Sequence, residues 1–108
     1  MSYTIKSSDE FSFIFGSGKR YHTPYFSILV LEKQHDHQGR VAFIAGKKLG
    51  NAVWRNRAKR RMRAVCRELN GPFPGYDVIF LAKRNVASGD YYDMTCKARK
   101  KLEEANIL

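Results

Sequence analysis

The chain has 108 residues, which suits one compact domain spanning residues 1–108. Lysine and arginine number 20 against 10 aspartates and glutamates, so the formal charge is +10, and we expect a polyanionic partner, nucleic acid ahead of an anionic membrane surface. Hydrophobic residues make up 44%, which excludes a disordered basic tail.

The sequence contains no run of about 20 apolar residues, the length that a membrane-spanning helix needs. Its first residues, MSYTIKSSDEF, have no apolar secretory core. We therefore expect a cytoplasmic protein without a membrane partner. In that compartment Cys66 and Cys96, which do not have metal-binding spacing, are expected to be reduced, buried thiols.

The first predicted element is a short helix that begins near Ser7. Ser7 and Glu10 have the spacing of a capping box, in which each side chain bonds a free backbone N–H of the first turn. One face of this helix carries three apolar side chains, Phe11, Ile14 and Phe15. Gly16 and Gly18 are expected to end the helix.

Two strands are predicted next, over 25–32 and 40–45, because both segments are rich in β-branched and aromatic residues. Val41, Phe43 and Ala45 share one face of the second strand. A further short strand is predicted near 19–23. The polar residues 33–39 form a loop, which we interpret as an exposed hairpin loop, and its sequence His35-Asp36-His37 lacks the additional ligands of a metal site.

Asn51 is a suitable N-cap for a helix that runs to about residue 69. The segment GPFPG at 71–75 breaks the chain, and the apolar run VIFLA within 77–83 predicts a buried strand. Asp90 caps a last helix with the apolar stripe Tyr91, Met94, Ala98, Leu102 and Ala105. The resulting order, α-β-β-β-α-β-α, predicts an α+β layered domain with a four-stranded sheet packed by helices.

Residues 47–67 contain nine lysines and arginines and no acid. At 100° per residue, the helix within this segment has an apolar face formed by Trp54, Ala58, Met62, Val65, Cys66 and Leu69. The opposite face carries Asn56, Arg57, Lys59, Arg60, Arg63 and Arg67. Arg61 lies on the boundary, and Arg55 lies nearer the apolar side in the first turn, from which it can reach outward.

Like charges at i, i+3 and i+4 repel one another in a free helix, so this face is easier to explain if a polyanion neutralises it. Arginine outnumbers lysine six to one from Arg55 to Arg67. Because a guanidinium binds phosphate through two hydrogen bonds and stacks on bases, this composition favours RNA contact over a merely solvated charged surface.

The segment GNAVWRNRAKRRMR closely resembles the arginine-rich helix of the bacterial ribonuclease P protein family. DEFSFIF resembles the family's first helix, YFSILVLE and RVAFIAGKK resemble its hairpin strands, and YDVIFLAKR resembles its last strand. The resemblance covers nearly the whole chain. It implies the ribonuclease P protein fold, with a left-handed βαβ crossover against the usual right-handed preference.

The resemblance also implies two groups of RNA-binding residues. Those that contact the catalytic RNA subunit are Arg55, Asn56, Arg57, Lys59, Arg60 and Arg63. Those that contact the single-stranded 5′ leader of precursor tRNA in a cleft are Phe11, Phe15, Leu29, Lys47, Lys48, Lys83 and Arg84. The residues alone leave alternatives open for these positions. Phe11 and Phe15 can equally be buried core, and Asn56 can satisfy a backbone group. Lys47, Lys48, Lys83 and Arg84 can be ordinary surface charges.

By the same resemblance, the chain is a subunit of an endoribonuclease in which the RNA performs hydrolysis with Mg²⁺ and the protein has no catalytic residue, metal or cofactor of its own. The ten acids are scattered along the sequence, which disfavours an independent two-metal nuclease. A DNA-binding regulator is disfavoured because a break and a strand follow the basic helix. The remaining alternative is a structural, ribosomal-type RNA-binding protein without a role in cleavage.

Overall fold

The structure is a computed structural model that describes residues 8–34 and 36–108, and for residues 8–12 it describes the backbone alone. Helices and strands follow one another as α-β-β-β-α-β-α. They are α1 (Ser8–Ser17), β1 (Lys19–His22), β2 (Phe26–Glu32), β3 (Arg40–Ile44), α2 (Ala52–Glu68), β4 (Tyr76–Ala82) and α3 (Tyr91–Glu104). Short 3₁₀ turns, Lys47–Leu49 and Arg84–Ala87, come after β3 and β4. The order confirms the predicted α+β class, including the short first strand.

The four strands form one mixed sheet in the order β1-β2-β4-β3. β1 and β4 both pair antiparallel with β2, whereas β3 pairs parallel with β4. The expectation that segments 25–32 and 40–45 form a hairpin is therefore wrong, because β4 lies between them. The physical reason is that the VIFLA run of β4 is apolar on both faces, and such a strand is most stable in the interior of a sheet.

Each face of the sheet is covered by different helices. On one face β2 and β4 meet α2 and α3, and the buried side chains there include Phe26, Ile28, Val78, Phe80, Met62, Val65, Met94 and Leu102. On the other face a smaller cluster joins Ile14 of α1 to Leu29, Ala42 and Ile79. Because side chains alternate between the two faces along each strand, one face packs against α2 and α3 and the other against α1.

α1 ends one residue before Gly18. The Gly18 amide donates to the carbonyl of Ile14 at 2.8 Å, and a Cβ at Gly18 would lie only 2.7 Å from that oxygen and 2.9 Å from the Val30 carbonyl oxygen. Gly16 lies inside the helix, so of the two predicted helix-ending glycines only Gly18 acts at the end. The predicted cap, Ser7, lies outside the described residues.

α2 connects the parallel neighbours β3 and β4. The left-handed sense of this crossover stays a prediction. α3 begins after Asp90, whose side chain accepts a hydrogen bond from the Asp93 amide at 2.7 Å, as predicted. Met94, Ala98 and Leu102 of its apolar stripe are fully buried.

The two cysteines differ in environment. Cys66 is buried in α2, and desolvation by burial raises the pKa of its thiol to about 11. Cys96 is exposed on α3, so the prediction that it is buried is wrong. The prediction failed because Cys96 lies outside the buried face of α3, which includes Met94, Thr95, Ala98 and Leu102.

Candidate RNA-binding site

α2 is positioned by its cap and by its buried face. The side chain of Asn51 accepts a hydrogen bond from the Trp54 amide at 2.9 Å, which satisfies one free donor of the first turn. The predicted apolar face is confirmed, since Ala58, Met62, Val65, Cys66 and the capping residue Leu69 are all at most 3% exposed. Because this face is buried, the opposite face of α2 points toward solvent.

The polar side chains of the opposite face are exposed or partly buried. Asn56, Arg57, Arg60 and Arg63 are exposed, and Arg55 and Lys59 are partly buried. Within residues 13–34 and 36–108, whose side chains the structure describes, no carboxylate lies within 4.0 Å of the side chains of Arg55, Arg57, Lys59 or Arg60. The guanidinium carbon of Arg63 lies 5.6 Å from the centre of the Phe43 ring, so this arginine extends across the end of β3. The basic face of α2, defined by these six residues, is thus a cationic surface available to an anionic ligand.

Arg61 differs from its neighbours. Its guanidinium donates to the backbone carbonyls of Ala87 at 2.9 Å and Gly89 at 2.6 Å. These bonds tie α2 to the segment that joins β4 to α3. The boundary position that the sequence predicts for Arg61 is confirmed, and its role within the protein is structural.

A second group of cations collects at one edge of the sheet. Because β3 and β4 are parallel neighbours, their carboxyl ends meet there, and Lys47, Lys48, Lys83 and Arg84 all lie within four residues after those ends. Lys47, Lys48 and Arg84 are exposed. Lys83 is partly buried, and its Nζ donates to the carbonyl of Thr23 at 2.7 Å, so it also holds the turn before β2.

α1 presents aromatic rings on the opposite side of the sheet from α2. Ile14 is 1% exposed and packs on the sheet, whereas Phe13 and Phe15 are 57% and 40% exposed. Since residues one apart differ by 100° around a helix, Phe13 and Phe15 lie on opposite flanks of α1. Phe15 is therefore accessible, which disfavours the alternative that its ring is buried core, and the side chain of Phe11 lies outside the described set.

Leu29 does not behave as predicted. It is 1% exposed and packs with Ile14 and Ile79 under α1, so in this arrangement it has no surface for a ligand. Ile14 of α1 packs over Leu29 and separates it from solvent. Its role is to support the helix that carries Phe15.

The far end of β4 contains a compact ion cluster. Asp77 is 1% exposed, and its carboxylate accepts hydrogen bonds from Arg40 at 3.1 and 2.7 Å and lies 2.9 Å from His37 Nε2. Lys33 Nζ lies 3.9 Å away. Burial alone would raise the pKa of the Asp77 carboxyl, but the hydrogen bonds and charges of Arg40 and His37 outweigh it and hold that pKa below its ordinary value.

The interpretation of residues 33–39 as an exposed hairpin loop is wrong, because this loop joins strands that do not pair and His37 contacts Asp77 of β4. His35 lies outside the described residues. No group of three or more potential metal ligands occurs in the parts of the chain that the structure describes. Nor does any helix in those parts have the length and apolarity to cross a membrane.

Proteins of known family share this combination of a basic helix and a mixed sheet. The Ribonuclease P family model matches residues 1–106. The chain belongs to the ribonuclease P protein family. Its relatives are protein components of ribonuclease P, an endoribonuclease, and family membership implies an RNA partner.

Two relatives show the extent of the similarity. The ribonuclease P protein component of Natranaerobius thermophilus is 43% identical over 91 residues, covering 82% of this chain and 77% of the relative. That of Nitratiruptor is 33% identical over 100 residues, covering 93% and 89%. Both therefore align with most of their own length.

Solved structures share the fold. The RNase P protein of Staphylococcus aureus superposes with a TM-score of 0.82 at 23% identity, covering 99% of this chain and 98% of that one. The RNase P protein of Thermotoga maritima gives 0.78 at 24% identity, covering 94% and 96%. These superpositions confirm the ribonuclease P protein fold that the sequence predicted.

Some residues of interest were not identified from the sequence. Phe13 was assigned no role because it lies off the stripe of Phe11, Ile14 and Phe15, yet its ring is the most exposed phenylalanine ring that the structure describes, and Lys33 Nζ lies 6.0 Å from its centre. The Asp77 cluster joins residues 37 to 44 positions apart in the sequence. Long-range pairing of this kind leaves no local pattern that could reveal it.

Proposed function

We propose that this chain is the protein subunit of the ribonuclease P ribonucleoprotein and assists endonucleolytic removal of the 5′ leader from precursor tRNA in the cytoplasm. The basic face of α2, comprising Arg55, Asn56, Arg57, Lys59, Arg60 and Arg63, binds the catalytic RNA subunit. Its cations neutralise phosphates, and the fixed helix sets the position of the protein on the folded RNA.

The observation that carries this proposal is the arrangement of charge on α2. The core holds one face of the helix, while the guanidinium groups of Arg57 and Arg60 have no acidic partner within the described residues. Such a face is electrostatically unfavourable in the free protein and becomes favourable when phosphates replace the missing anions. Family membership supports ribonuclease P RNA as the source of those phosphates.

The second part of the proposal concerns the leader. Lys47, Lys48, Lys83 and Arg84 lie at the shared carboxyl edge of β3 and β4, where they can hold leader phosphates. Phe15 on α1 is exposed enough to stack on an unpaired base, a contact that tolerates many leader sequences. Phe11 keeps the same assignment by resemblance, while Leu29 is assigned to support of α1.

The third part is that the RNA, with Mg²⁺, performs the hydrolysis and the protein contributes binding. In support, the most buried acid that the structure describes, Asp77, is occupied by Arg40 and His37. The protein is proposed to offset repulsion between two RNA chains and thereby to lower the Mg²⁺ concentration that cleavage requires.

The test is a cleavage assay on precursor tRNA with a bacterial ribonuclease P RNA at low Mg²⁺, with and without the protein. We expect the wild-type protein to restore leader removal, to do nothing without the RNA, and to lose most of its effect in the variant Arg55→Ala/Arg57→Ala. Arg99→Ala/Lys100→Ala is the matched control, because it removes the same charge from exposed positions on α3.

A different experimental result would contradict each part of the proposal. Binding to the RNA without any effect on cleavage would favour the structural RNA-binding alternative. Cleavage by the protein alone would overturn the assignment of chemistry to the RNA. For the leader site, Phe15→Ala should weaken binding of precursor tRNA by roughly 5-fold or more and leave mature tRNA unaffected.

A further inference from the structure

An open groove of about 600 Å³ lies between α2 and α3. It is lined by Val53, Arg57, Arg60, Arg61, Ala64 and Tyr91. Its volume falls within the range of about 300–1,000 Å³ that sites for small ligands occupy. Three guanidinium groups and no carboxylate line it, so the groove favours an anionic occupant.

The α2 side of this groove is a distinct stripe of the helix. Val53, Arg57, Arg60, Arg61 and Ala64 recur at i, i+4, i+7, i+8 and i+11, which places them along one line. This line is separate from the buried line that carries Ala58, Met62 and Val65. At its two ends it is apolar, with Val53 at the first turn and the small Ala64 at the fourth.

The groove is a fixed surface because both of its walls are held. Arg61 is tied to the carbonyls of Ala87 and Gly89 in the segment that leads to α3. Tyr91 is the first residue of α3, directly after the capping residue Asp90, and its partly buried ring packs on the core. An aromatic ring and two exposed arginines, Arg57 and Arg60, are thus presented together without rearrangement.

Val53 is an unusual residue for a purely electrostatic surface, since it is 76% exposed. In the same groove, this exposed valine and the Tyr91 ring offer apolar surface, while the guanidinium groups offer contacts for a phosphate. The ligand that matches this combination has a planar, partly apolar body and an attached phosphate.

We propose that the groove between α2 and α3 binds one unpaired nucleotide of an RNA. Tyr91 and Val53 contact its base, and Arg57 and Arg60 contact its phosphate, with Arg61 fixing the distance between the walls. The inference rests on the proposed function for the RNA partner and goes beyond it, since it assigns recognition of an unpaired base to α3 as well as phosphate contacts to α2.

Two adjacent tyrosines provide the test. Tyr91 lines the groove, whereas Tyr92 does not line it and is 76% exposed. We expect Tyr91→Leu to weaken binding to ribonuclease P RNA by roughly 5- to 150-fold, the effect of losing one base stack, and Tyr91→Phe and Tyr92→Leu to bind within about 2-fold of wild type. The salt dependence of binding should be the same for Tyr91→Leu as for wild type, because no cation is removed.

Chemical probing of the RNA identifies the occupant. One unpaired nucleotide should be protected by the wild-type protein and by Tyr91→Phe, and become reactive with Tyr91→Leu, at protein concentrations that saturate the RNA. Circular dichroism of the variants separates a folding defect from a binding defect, and with Tyr91→Leu folded, wild-type affinity and unchanged protection would overturn the proposal.

Failure of the nucleotide site can be distinguished from failure of the proposed function. If Arg55→Ala/Arg57→Ala abolishes stimulation of cleavage while Tyr91→Leu has no effect, the RNA-binding role holds and the nucleotide site is wrong. If neither variant changes RNA binding, both are wrong.

Discussion

Two clusters of basic side chains in this molecule, one on α2 and one around Asp77, differ in the contacts that they make. Around Asp77, Lys33, His37 and Arg40 surround one buried carboxylate, which accepts two hydrogen bonds from Arg40. On α2, Arg57 and Arg60 face solvent with no acid in reach among the described residues. The first arrangement stabilises the fold, whereas the second leaves charge for a partner to neutralise.

The comparison teaches that the number of positive charges does not reveal their role. Even within α2 the roles differ, because Arg61 is used in internal hydrogen bonds and Arg60, its neighbour, is not. A basic residue contributes to folding where a fixed acceptor exists in the protein, and to binding where none does.

Removal of Asp77 should have the largest effect on stability. Asp77→Ala removes the buried carboxylate that Arg40 and His37 contact, and because these two side chains can still reach water, we expect a loss of about 2–4 kcal/mol in the free energy of unfolding. Urea denaturation measures it. A loss below about 0.5 kcal/mol would mean that the cluster does not stabilise the fold.

Arg61→Met should have a smaller but clear effect. It removes two charge-assisted hydrogen bonds to the carbonyls of Ala87 and Gly89, at an expected cost of about 1.5–3 kcal/mol. The control is Arg60→Met, which changes an exposed residue of the same type and should alter the unfolding free energy by less than about 0.5 kcal/mol. Equal effects of the two substitutions would contradict the distinction between them.

The acid dependence of stability should follow from Asp77. The hydrogen bonds from Arg40 and His37 hold its pKa below the ordinary 3.8, so the ionised carboxylate stabilises the folded state above that pH. This contribution should disappear as the pH falls through the lower, folded-state pKa. We expect the difference in unfolding free energy between wild type and Asp77→Asn to be constant near pH 5 and to shrink below about pH 3.8, and a difference independent of pH would contradict this.

Much of this structure follows from local patterns in the sequence. The period of 3.6 residues and the Asn51 cap predicted α2 and its buried face, because both are set by contacts within a few residues. The apolar run of β4 predicted a buried strand but not its place between β2 and β3, which depends on pairing across the sheet. The expectation that segments 25–32 and 40–45 are hairpin strands was wrong for the same reason.

The candidate site shows the same limit. The exposed positions of Arg57, Arg60 and Arg63 follow from helical geometry alone. The burial of Leu29 depends on where α1 crosses the sheet, and the groove at Tyr91 depends on how α3 packs beside α2. No sequence pattern within a single helix or strand predicts either of these two arrangements.

The most direct test of the contrast between the two regions is the salt dependence of binding to ribonuclease P RNA, measured for wild type, Arg55→Ala/Arg57→Ala and Arg99→Ala/Lys100→Ala. If the α2 arginines neutralise RNA phosphates, the first variant should lower the slope of log K against log salt by about 1.4–1.8, with an unfolding free energy within about 0.5 kcal/mol of wild type. The α3 variant should keep the wild-type slope. Equal slopes and affinities for all three proteins would contradict the account, because the arginines of α2 would then contribute no more to RNA binding than other surface cations do.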